Sequence, residues 1–275
     1  MKTVTSKENP VLKSAIKLQT RKGREEAGAF LVEGRKLISE AVAAGFELDC
    51  VFVNAGALLR EDTTEGEWEN EVAVSEKLFM QLAQTVNPLP HIAIVRSSHV
   101  KNKIVKAWDE TGKKANGFAE RILVLDRIGD PGNAGTMIRT ALAASMDEAW
   151  FVKGTVDAFS DKVIRASAGA VFHLRIREGL TVADCVDRTS GIGAKLVVCD
   201  SNGKDLYRTE FQERFALVIG NEGSGPDKEF LNAADMVVGI PMAQASESLN
   251  AATAAAVVMY EALRQRACRT KEASM

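Results

Sequence analysis

Cysteine and histidine are scarce in this sequence, and long hydrophobic runs are absent. The 275 residues include four cysteines and three histidines, and no two cysteines form a C-x-x-C pair. This pattern excludes a disulfide framework and an ordinary zinc site, so we predict that the protein holds no metal. No apolar run approaches the roughly 18–20 residues of a membrane-spanning helix, and the first residues lack the apolar segment of a signal peptide. We therefore expect a cytoplasmic protein that does not bind a membrane.

An overall excess of charge of one sign is also missing. Lysine and arginine number 35 against 37 aspartates and glutamates, a formal net charge of −2, which excludes a uniformly basic nucleic-acid binder. Residues 1–24 differ, because they carry seven basic residues against Glu8 alone and have a helical apolar pattern. A basic terminal helix can contact a phosphate backbone, but a solvated helix face explains the pattern equally well. Candidate phosphate contacts, here and at the next predicted helix, are Lys13, Lys17, Arg21, Lys22, Arg24 and Arg35.

The length fits one large domain or two ordinary ones. Over residues 1–100 short strands alternate with helices, which predicts a small α/β domain. Residues 101–119 are polar and lysine-rich, and we interpret them as a linker. Over 120–275, continuous apolar strands alternate with helices, which is typical of a parallel sheet covered on both faces. Predicted strands span 29–34, 48–53, 91–95, 121–125, 149–152, 171–176, 196–199, 215–220 and 236–240, and predicted helices span 35–44, 75–83, 136–145, 162–170 and 248–266.

A glycine-rich segment, residues 126–139, follows the first strand of the second domain, at the sheet edge where open α/β sheets bind ligands. Its glycines are spaced Gly129-x-x-Gly132-x-x-Gly135, which does not fit the G-x-G-x-x-G fingerprint of a dinucleotide-binding loop. No Gly-Lys-Ser/Thr follows, so a P-loop is excluded. Arg139 falls on the first or second turn of the predicted helix. A simple tight turn is the alternative interpretation.

Two further segments follow later strands of the same domain. Residues 217–226 place three glycines around Glu222, and glycine permits a backbone to approach a ligand closely. An ordinary connection, with Glu222 capping the next helix, is the alternative. Residues 240–250 lead into the last helix, where Ser246 or Ser248 fits as an N-cap. Such a cap does not explain Asn250 at the head of an otherwise apolar helix.

Together, and in this order, the three segments resemble the SpoU (TrmH-like) family of RNA ribose 2′-O-methyltransferases, part of the SPOUT superfamily. The family's N-x-G-x-x-x-R, G-x-E-G and I-P-M … S-L-N segments are matched by Asn133 to Arg139, Gly220 to Gly223, Ile240 to Met242 and Ser248 to Asn250.

The first hundred residues are similar to the family's L30e-like substrate-binding domain. Asn9-Pro10-Val11, Arg24-Glu25 and Phe30 to Gly34 match its opening. Pro88 to His91 departs from the pattern, because relatives often have a Gln-Gly pair there, and the acidic stretch 61–71 looks like a variable loop. Both departures concern the RNA target rather than the chemistry.

The resemblance implies a catalytic domain with a deep trefoil knot, and a homodimer with its sites near the interface. It also implies S-adenosylmethionine, bound in a bent shape among the knot loops. The cofactor-binding positions, carried over by motif, are Gly220, Asn221, Gly223, Ile240, Met242, Ser248 and Leu249. The positions carried over to the reacting end are Arg139, Asn133, Glu222, Ser248 and Asn250.

The implied reaction is an in-line displacement at a sulfonium, which needs no metal. The ribose 2′-hydroxyl must be positioned and must lose its proton. Arg139 is the family's usual candidate, but arginine is essentially always protonated. We therefore expect Arg139 to clamp the adjacent phosphate or orient the hydroxyl, held by Glu222 and Asn133. A surface ion pair is the alternative role for Arg139.

We expect ribosomal RNA as the substrate, because the accessory domain favours it over transfer RNA. A transfer RNA methyltransferase and a non-catalytic RNA- or ribosome-binding protein that retains the fold are the alternatives. The intact Asn133, Arg139, Glu222 and Asn250 argue against a non-catalytic protein. A nucleotide-dependent oxidoreductase lacks its fingerprint.

Overall fold

A computed structural model of the protein describes residues 2–57, 68–96, 113–114, 117–118, 120–243 and 248–272. Most of the acidic stretch 61–71, most of the predicted linker 101–119 and the possible cap Ser246 lie outside these residues. The chain divides into two compact units, one of residues 1–107 with 159–165 and one of residues 108–158 with 166–275. No helix in the described ranges is both long and apolar enough to cross a bilayer.

The first unit contains a five-stranded mixed sheet with helices packed on it. Its strands have the spatial order β1-β4-β3-β5-β2, and β5 runs antiparallel to both β3 and β2. Leu12, Phe52 and Phe79 are fully buried in its core. The elements are β1 (Lys2–Val4), α1 (Pro10–Lys17), α2 (Arg21–Ala27), β2 (Ala29–Glu33), α3 (Arg35–Ala43), β3 (Glu47–Asn54), β4 (Glu71–Val74), α4 (Glu76–Leu82) and β5 (His91–Arg96).

The basic N-terminal segment is not one helix, as its pattern predicted, but a strand and two short helices. The Asn9 side chain accepts hydrogen bonds from the backbone of Val11 and caps α1, with Pro10 in its first turn. The Thr20 hydroxyl accepts one from the Gly23 N–H and starts α2. Each of these two capping residues starts a new helix. Their effect outweighs the apolar spacing, which is compatible with one continuous helix.

The second unit contains a six-stranded sheet in which every neighbouring pair is parallel, with the order β10-β9-β8-β12-β11-β13. This confirms the predicted α/β class with a parallel sheet, while the trefoil knot stays a prediction from the resemblance. In chain order, the elements after β5 are β6 (Lys113–Lys114), β7 (Gly117–Phe118), β8 (Arg121–Leu125), α5 (Pro131–Ala143), β9 (Glu148–Val152), α6 (Asp161–Ala166), a 3₁₀ helix (Ala170–Phe172), β10 (Arg175–Leu180), α7 (Val182–Gly191), β11 (Lys195–Asp205), a 3₁₀ helix (Leu206–Arg208), β12 (Phe215–Ile219), α8 (Lys228–Ala233), β13 (Met236–Gly239) and α9 (Ala251–Glu272). All of α6 except Ala166 belongs to the first unit.

Helix α5 begins five residues earlier than predicted. The Asp130 carboxylate accepts a hydrogen bond of 2.7 Å from the Asn133 N–H, and Pro131 occupies the first turn. Asp and Pro at these positions start a helix. Asn133 and Gly135 are therefore helical, and Arg139 lies in the third turn rather than the first or second.

The predicted helix 162–170 and strand 171–176 are both wrong in their bounds. The chain adopts left-handed backbone angles at Ala168 (φ 50°) and Gly169 (φ 84°), which end the helical stretch. The apolar residues Ala170–Phe172 are buried in a 3₁₀ turn, and the strand begins only at Arg175. A short apolar run does not distinguish a buried turn from a buried strand.

Candidate active site

The middle of β11, the loops that follow β12 and β13, and the start of α9 line a cleft of about 450 Å³. Asp200 and Glu222 are the charged residues among its described lining, and no lysine or arginine is present in that part. Every residue that the family resemblance implies for cofactor binding lies on this surface. The lining residues are Cys199, Asp200, Ser201, Ile219, Gly220, Asn221, Glu222, Gly223, Gly225, Pro226, Ile240, Met242, Ser248, Leu249, Asn250, Ala251 and Ala254.

Glu222 accepts hydrogen bonds from the loop after β8 and from the first turn of α5. Its Oε1 accepts from Asn133 Nδ2 at 2.9 Å and from the Asp130 N–H at 3.3 Å, and its Oε2 accepts from the Gly129 N–H at 3.2 Å. Burial acts to raise the pKa of the carboxyl, but the hydrogen bonds from Asn133 and from backbone N–H groups outweigh it, so the pKa is lowered. Glu222 is therefore an ionised acceptor.

Asn133 links Glu222 to the last helix. While its Nδ2 donates to Glu222, its Oδ1 accepts from Asn250 Nδ2 at 2.9 Å. The Asn250 Oδ1 in turn accepts from the backbone N–H groups of Ala252 and Thr253, at 2.9 and 3.3 Å. One chain of hydrogen bonds thus joins all three sequence segments, and it fixes which end of the Asn133 amide points to each neighbour.

Arg139 is not part of this chain of hydrogen bonds. It is exposed on α5 and does not line the cleft. The expectation that Glu222 and Asn133 hold Arg139 is wrong, because both side chains are engaged with each other and with neighbouring loops. Within the described residues no carboxylate forms a salt bridge with Arg139, so the surface ion pair is not formed there either.

The capping interpretations of the other motif residues are also corrected. Helix α8 is capped by Asp227, whose Oδ1 accepts from the Glu229 N–H at 2.9 Å, and not by Glu222. At the last helix, Asn250 takes the capping position, which explains the polar residue at the head of an apolar helix. Ser248 contributes to the cleft wall instead.

An ion pair between a buried aspartate and a partly exposed arginine, which the sequence analysis missed, holds the loop after β12. Asp126 is fully buried and accepts from Arg127 Nε and Nη2 at 2.8 and 3.0 Å, and from the Asp227 N–H at 2.7 Å. The Arg127 carbonyl accepts from Asn221 Nδ2 at 2.8 Å. Hydrogen bonding to Asp126 raises the pKa of Arg127. A charged pair directly after a buried strand was the sequence signal that could have revealed it.

Three glycines of this region are needed for the local backbone geometry or for close packing. A Cβ on Gly220 would lie 2.1 Å from the Pro226 nitrogen, so glycine is needed there for close approach within its own loop, and the approach to a ligand stays a prediction. Gly225 has φ +69°, and its backbone exchanges two hydrogen bonds with Asn221. A Cβ on Gly135 would lie 2.4 Å from the Ala166 Cβ.

Several of the predicted phosphate contacts are paired with acidic neighbours that are close in the sequence. Lys13 pairs with Glu8, Arg21 with Glu25 at 2.9 Å and Lys22 with Glu26 at 3.7 Å. The acidic partners on α2, Glu25 and Glu26, lie just beyond the basic segment of residues 1–24. These are exposed pairs, which contribute little energy and open readily. Among the described residues, no group of three or more His, Cys, Asp or Glu side chains is arranged to hold a metal ion.

Comparison with known families gives two matches that together span most of the chain. Residues 120–260 match the SpoU rRNA Methylase family, and residues 9–93 match the MRM3-like substrate binding domain.

Relatives of known description match over nearly the whole chain. The 23S rRNA (guanosine(2553)-2′-O)-methyltransferase RlmP of Bacillus subtilis is 32% identical over 94% of this chain and 98% of its own length. The 23S rRNA (uridine(2479)-2′-O)-methyltransferase of Streptomyces viridochromogenes is 31% identical over 90% and 87%. An AdoMet-bound rRNA methyltransferase structure from Sinorhizobium meliloti superposes with a TM-score of 0.78 at 28% identity, covering 96% of this chain and 97% of that one.

Proposed function

This chain belongs to the SpoU rRNA methylase family, and from that premise we propose that it transfers a methyl group from S-adenosylmethionine to a ribose 2′-hydroxyl of ribosomal RNA. The observation that carries the proposal is the hydrogen-bonded chain Glu222–Asn133–Asn250 beside the cleft. It joins the three motif segments into one site. The relatives named for 2′-O-methylation of 23S rRNA support ribosomal over transfer RNA.

The described cleft residues fit S-adenosylmethionine. The volume of the cleft, about 450 Å³, lies within the range of small-molecule sites. Apolar walls for an adenine ring are provided by Ile219, Ile240, Met242 and Leu249. Two carboxylates without a lining lysine or arginine favour a cationic ligand over one that carries phosphates. When bound, the cofactor supplies a methyl group on a positively charged sulfonium.

The protein's own residues position the attacking hydroxyl. Asn133 uses one amide hydrogen for Glu222, which leaves the second for a substrate oxygen. The ionised Glu222 and the Asn250 amide prevent the Asn133 side chain from flipping, so it is preorganised for the substrate. Arg139 lies six residues further along α5, about 9 Å along the helix axis. Its guanidinium forms no ion pair with any described carboxylate, and it suits an adjacent phosphate of the RNA.

The first unit is proposed to bind RNA, with domain limits at 1–100 and 120–275 and a linker at 101–119. The match of residues 9–93 to a substrate binding domain supports this assignment. A homodimer is proposed as well, as the family resemblance implies, with the exposed apolar side chains of Leu142 on α5 and Tyr260 on α9 as candidate contacts.

Mapping of ribose 2′-O-methylation in total RNA tests the proposal. A strain that lacks this protein should lose one or a few methylated positions in ribosomal RNA, and the purified chain should restore them in the presence of S-adenosylmethionine. Loss of a transfer RNA position would overturn the substrate class. Failure of the purified protein to bind S-adenosylmethionine by calorimetry would favour the non-catalytic RNA-binding alternative.

A further inference from the structure

One cleft carboxylate has no assigned role. Asp200 follows Cys199 near the centre of β11, opposite the end of β12, and it lines the cleft. Its Oδ1 accepts from the Asn202 N–H at 2.8 Å and from Asn202 Nδ2 at 3.2 Å. Its Oδ2 lies 4.0 Å from where a Cβ on Gly225 would stand, and it has no hydrogen-bond partner among the described residues.

The other carboxylate of the cleft differs in this respect. Both oxygens of Glu222 accept hydrogen bonds from the loop after β8. Asp200 is therefore the charged cleft residue, within the described ranges, that keeps an oxygen available for a ligand. A carboxylate oxygen only accepts, so the ligand group that meets it must be a donor or a cation.

The position of Asp200 decides between those two kinds of partner. Asn133 lies on the helix that follows β8, whereas Asp200 lies on β11, and β12 separates the two strands. Two strand spacings place strands β8 and β11 about 10 Å apart across the sheet. The methyl-bearing sulfonium must lie near Asn133 if the proposed reaction occurs there, so the part of the cofactor beside Asp200 is the nucleoside, whose donors are ribose hydroxyls.

We propose that Asp200 is a cofactor-specificity residue whose Oδ2 accepts hydrogen bonds from the ribose hydroxyls of the bound nucleoside. This inference rests on the proposed function, in which the cleft binds S-adenosylmethionine. Hydrogen bonds to an ionised acceptor are stronger than those between neutral groups. They contribute to every ligand that carries the intact ribose, whatever its charge elsewhere.

Calorimetry with three ligands tests this role in the free protein. The ligands are S-adenosylmethionine, S-adenosylhomocysteine, which lacks the sulfonium charge, and 5′-methylthioadenosine, which also lacks the amino acid. Asp200→Asn should weaken all three by a similar factor of about 10- to 100-fold. The Asn oxygen stays on the Asn202 N–H, which needs an acceptor, and the amide nitrogen replaces Oδ2.

Each other result contradicts the inference. A loss confined to S-adenosylmethionine would assign Asp200 to the sulfonium charge, and a loss that spares only 5′-methylthioadenosine would assign it to the amino group. Unchanged affinity for all three would remove Asp200 from the ligand. If the unmodified protein binds none of them, the proposed function fails first, which is a distinguishable outcome.

Two further variants control for folding. Asp235→Asn makes the same exchange at the opposite edge of the sheet, where Asp235 meets Lys195 Nζ at 2.7 Å and the Leu196 N–H at 2.9 Å, and it should leave all three affinities unchanged. Asp200→Ser keeps a hydroxyl oxygen for the Asn202 N–H and should reproduce the uniform loss with an unchanged binding stoichiometry. A reduced stoichiometry at normal affinity in both Asp200 variants would show damage to the fold instead and overturn the inference.

Discussion

At the scale of single residues, Arg139 stands apart from the other motif side chains because, within the described ranges, no hydrogen bond or ion pair joins it to them. Arg139→Ala should therefore leave S-adenosylmethionine affinity unchanged while methyl transfer falls about 100-fold or more, the size of loss expected when one preorganised charged donor is removed. Calorimetry and transfer of labelled methyl groups to RNA measure the two effects separately. The control is Arg208→Ala, since Arg208 is exposed and pairs only weakly with Asp205 at 3.6 Å. Unchanged turnover of the true RNA would contradict the role of Arg139.

The hydrogen bond between Asn133 and Glu222 leads to a second prediction, which concerns the pH dependence of turnover. Because the folded-state pKa of Glu222 is lowered from 4.5, its stabilising bonds are fully present above that value and are lost as the pH falls through the folded pKa. Asn133→Asp replaces an amide donor with a second carboxylate beside Glu222, and two adjacent carboxylates raise the pKa of one of them. The acid limb of the kcat profile should thus move to higher pH in this variant. An acid limb at the same pH in both proteins would exclude Glu222 as the group whose ionisation supports turnover.

The site residues were predictable where a residue type was required by chemistry and unpredictable where a tertiary contact decides. Asn250 could be singled out because an asparagine at the head of an apolar helix needs a partner. The separation of Arg139 from Glu222 and Asn133 could not be predicted, since it depends on where α5 begins. The charged pair Asp126 and Arg127 directly follows a buried strand, but the burial of Asp126 and its bond to the Asp227 N–H depend on tertiary contacts.

At the scale of elements, the same limit applies to the ends of helices and strands. The strands of the parallel sheet were found because residues such as Ile122 and Leu217 are buried on both faces, which gives continuous apolar runs. The start of α5 was missed because its first turn, Pro131 to Ala134, contains a proline, a glycine and an asparagine, which are typical of loops. The 3₁₀ turn at Ala170–Phe172 was missed because burial, not periodicity, set its composition.

The packing of α5 gives a prediction at this scale. Gly135→Ala should destabilise the protein by about 1–3 kcal/mol, because the new Cβ would lie 2.4 Å from the Ala166 Cβ and 2.8 Å from the Ser167 nitrogen. Gly191→Ala is the matched control, since a Cβ at Gly191 of α7 meets nothing within 4 Å. It should stabilise by about 0.5–1 kcal/mol, because alanine loses less backbone entropy in a helix. Thermal unfolding measures both, and equal effects of the two substitutions would contradict the packing argument.

At the scale of the whole molecule, the net charge of −2 conceals the basic segment that is proposed to contact RNA. The exposed pairs Lys13–Glu8, Arg21–Glu25 and Lys22–Glu26 reduce its field in the free protein. Such pairs are weak in water, so a phosphate can replace the carboxylate partner at small cost. The proposed RNA contact therefore requires an exchange of partners on α1 and α2 rather than a preformed cationic surface.

This exchange predicts a measurable dependence on salt. RNA affinity should fall steeply with salt concentration, because each neutralised phosphate releases counterions. Replacing Lys13, Lys17, Arg21 and Lys22 together by glutamine should reduce the slope of log K against log salt by about 3, at roughly 0.7–0.9 per contact. S-adenosylmethionine affinity should not change, because these side chains belong to the first unit and the cleft to the second. The matched control replaces Glu25 and Glu26 by glutamine, which removes two acidic charges beside Arg21 and Lys22 and should strengthen RNA binding at low salt. An unchanged slope in the fourfold variant would mean that the RNA is held elsewhere, and the basic N-terminal segment would then be only a solvated helix face.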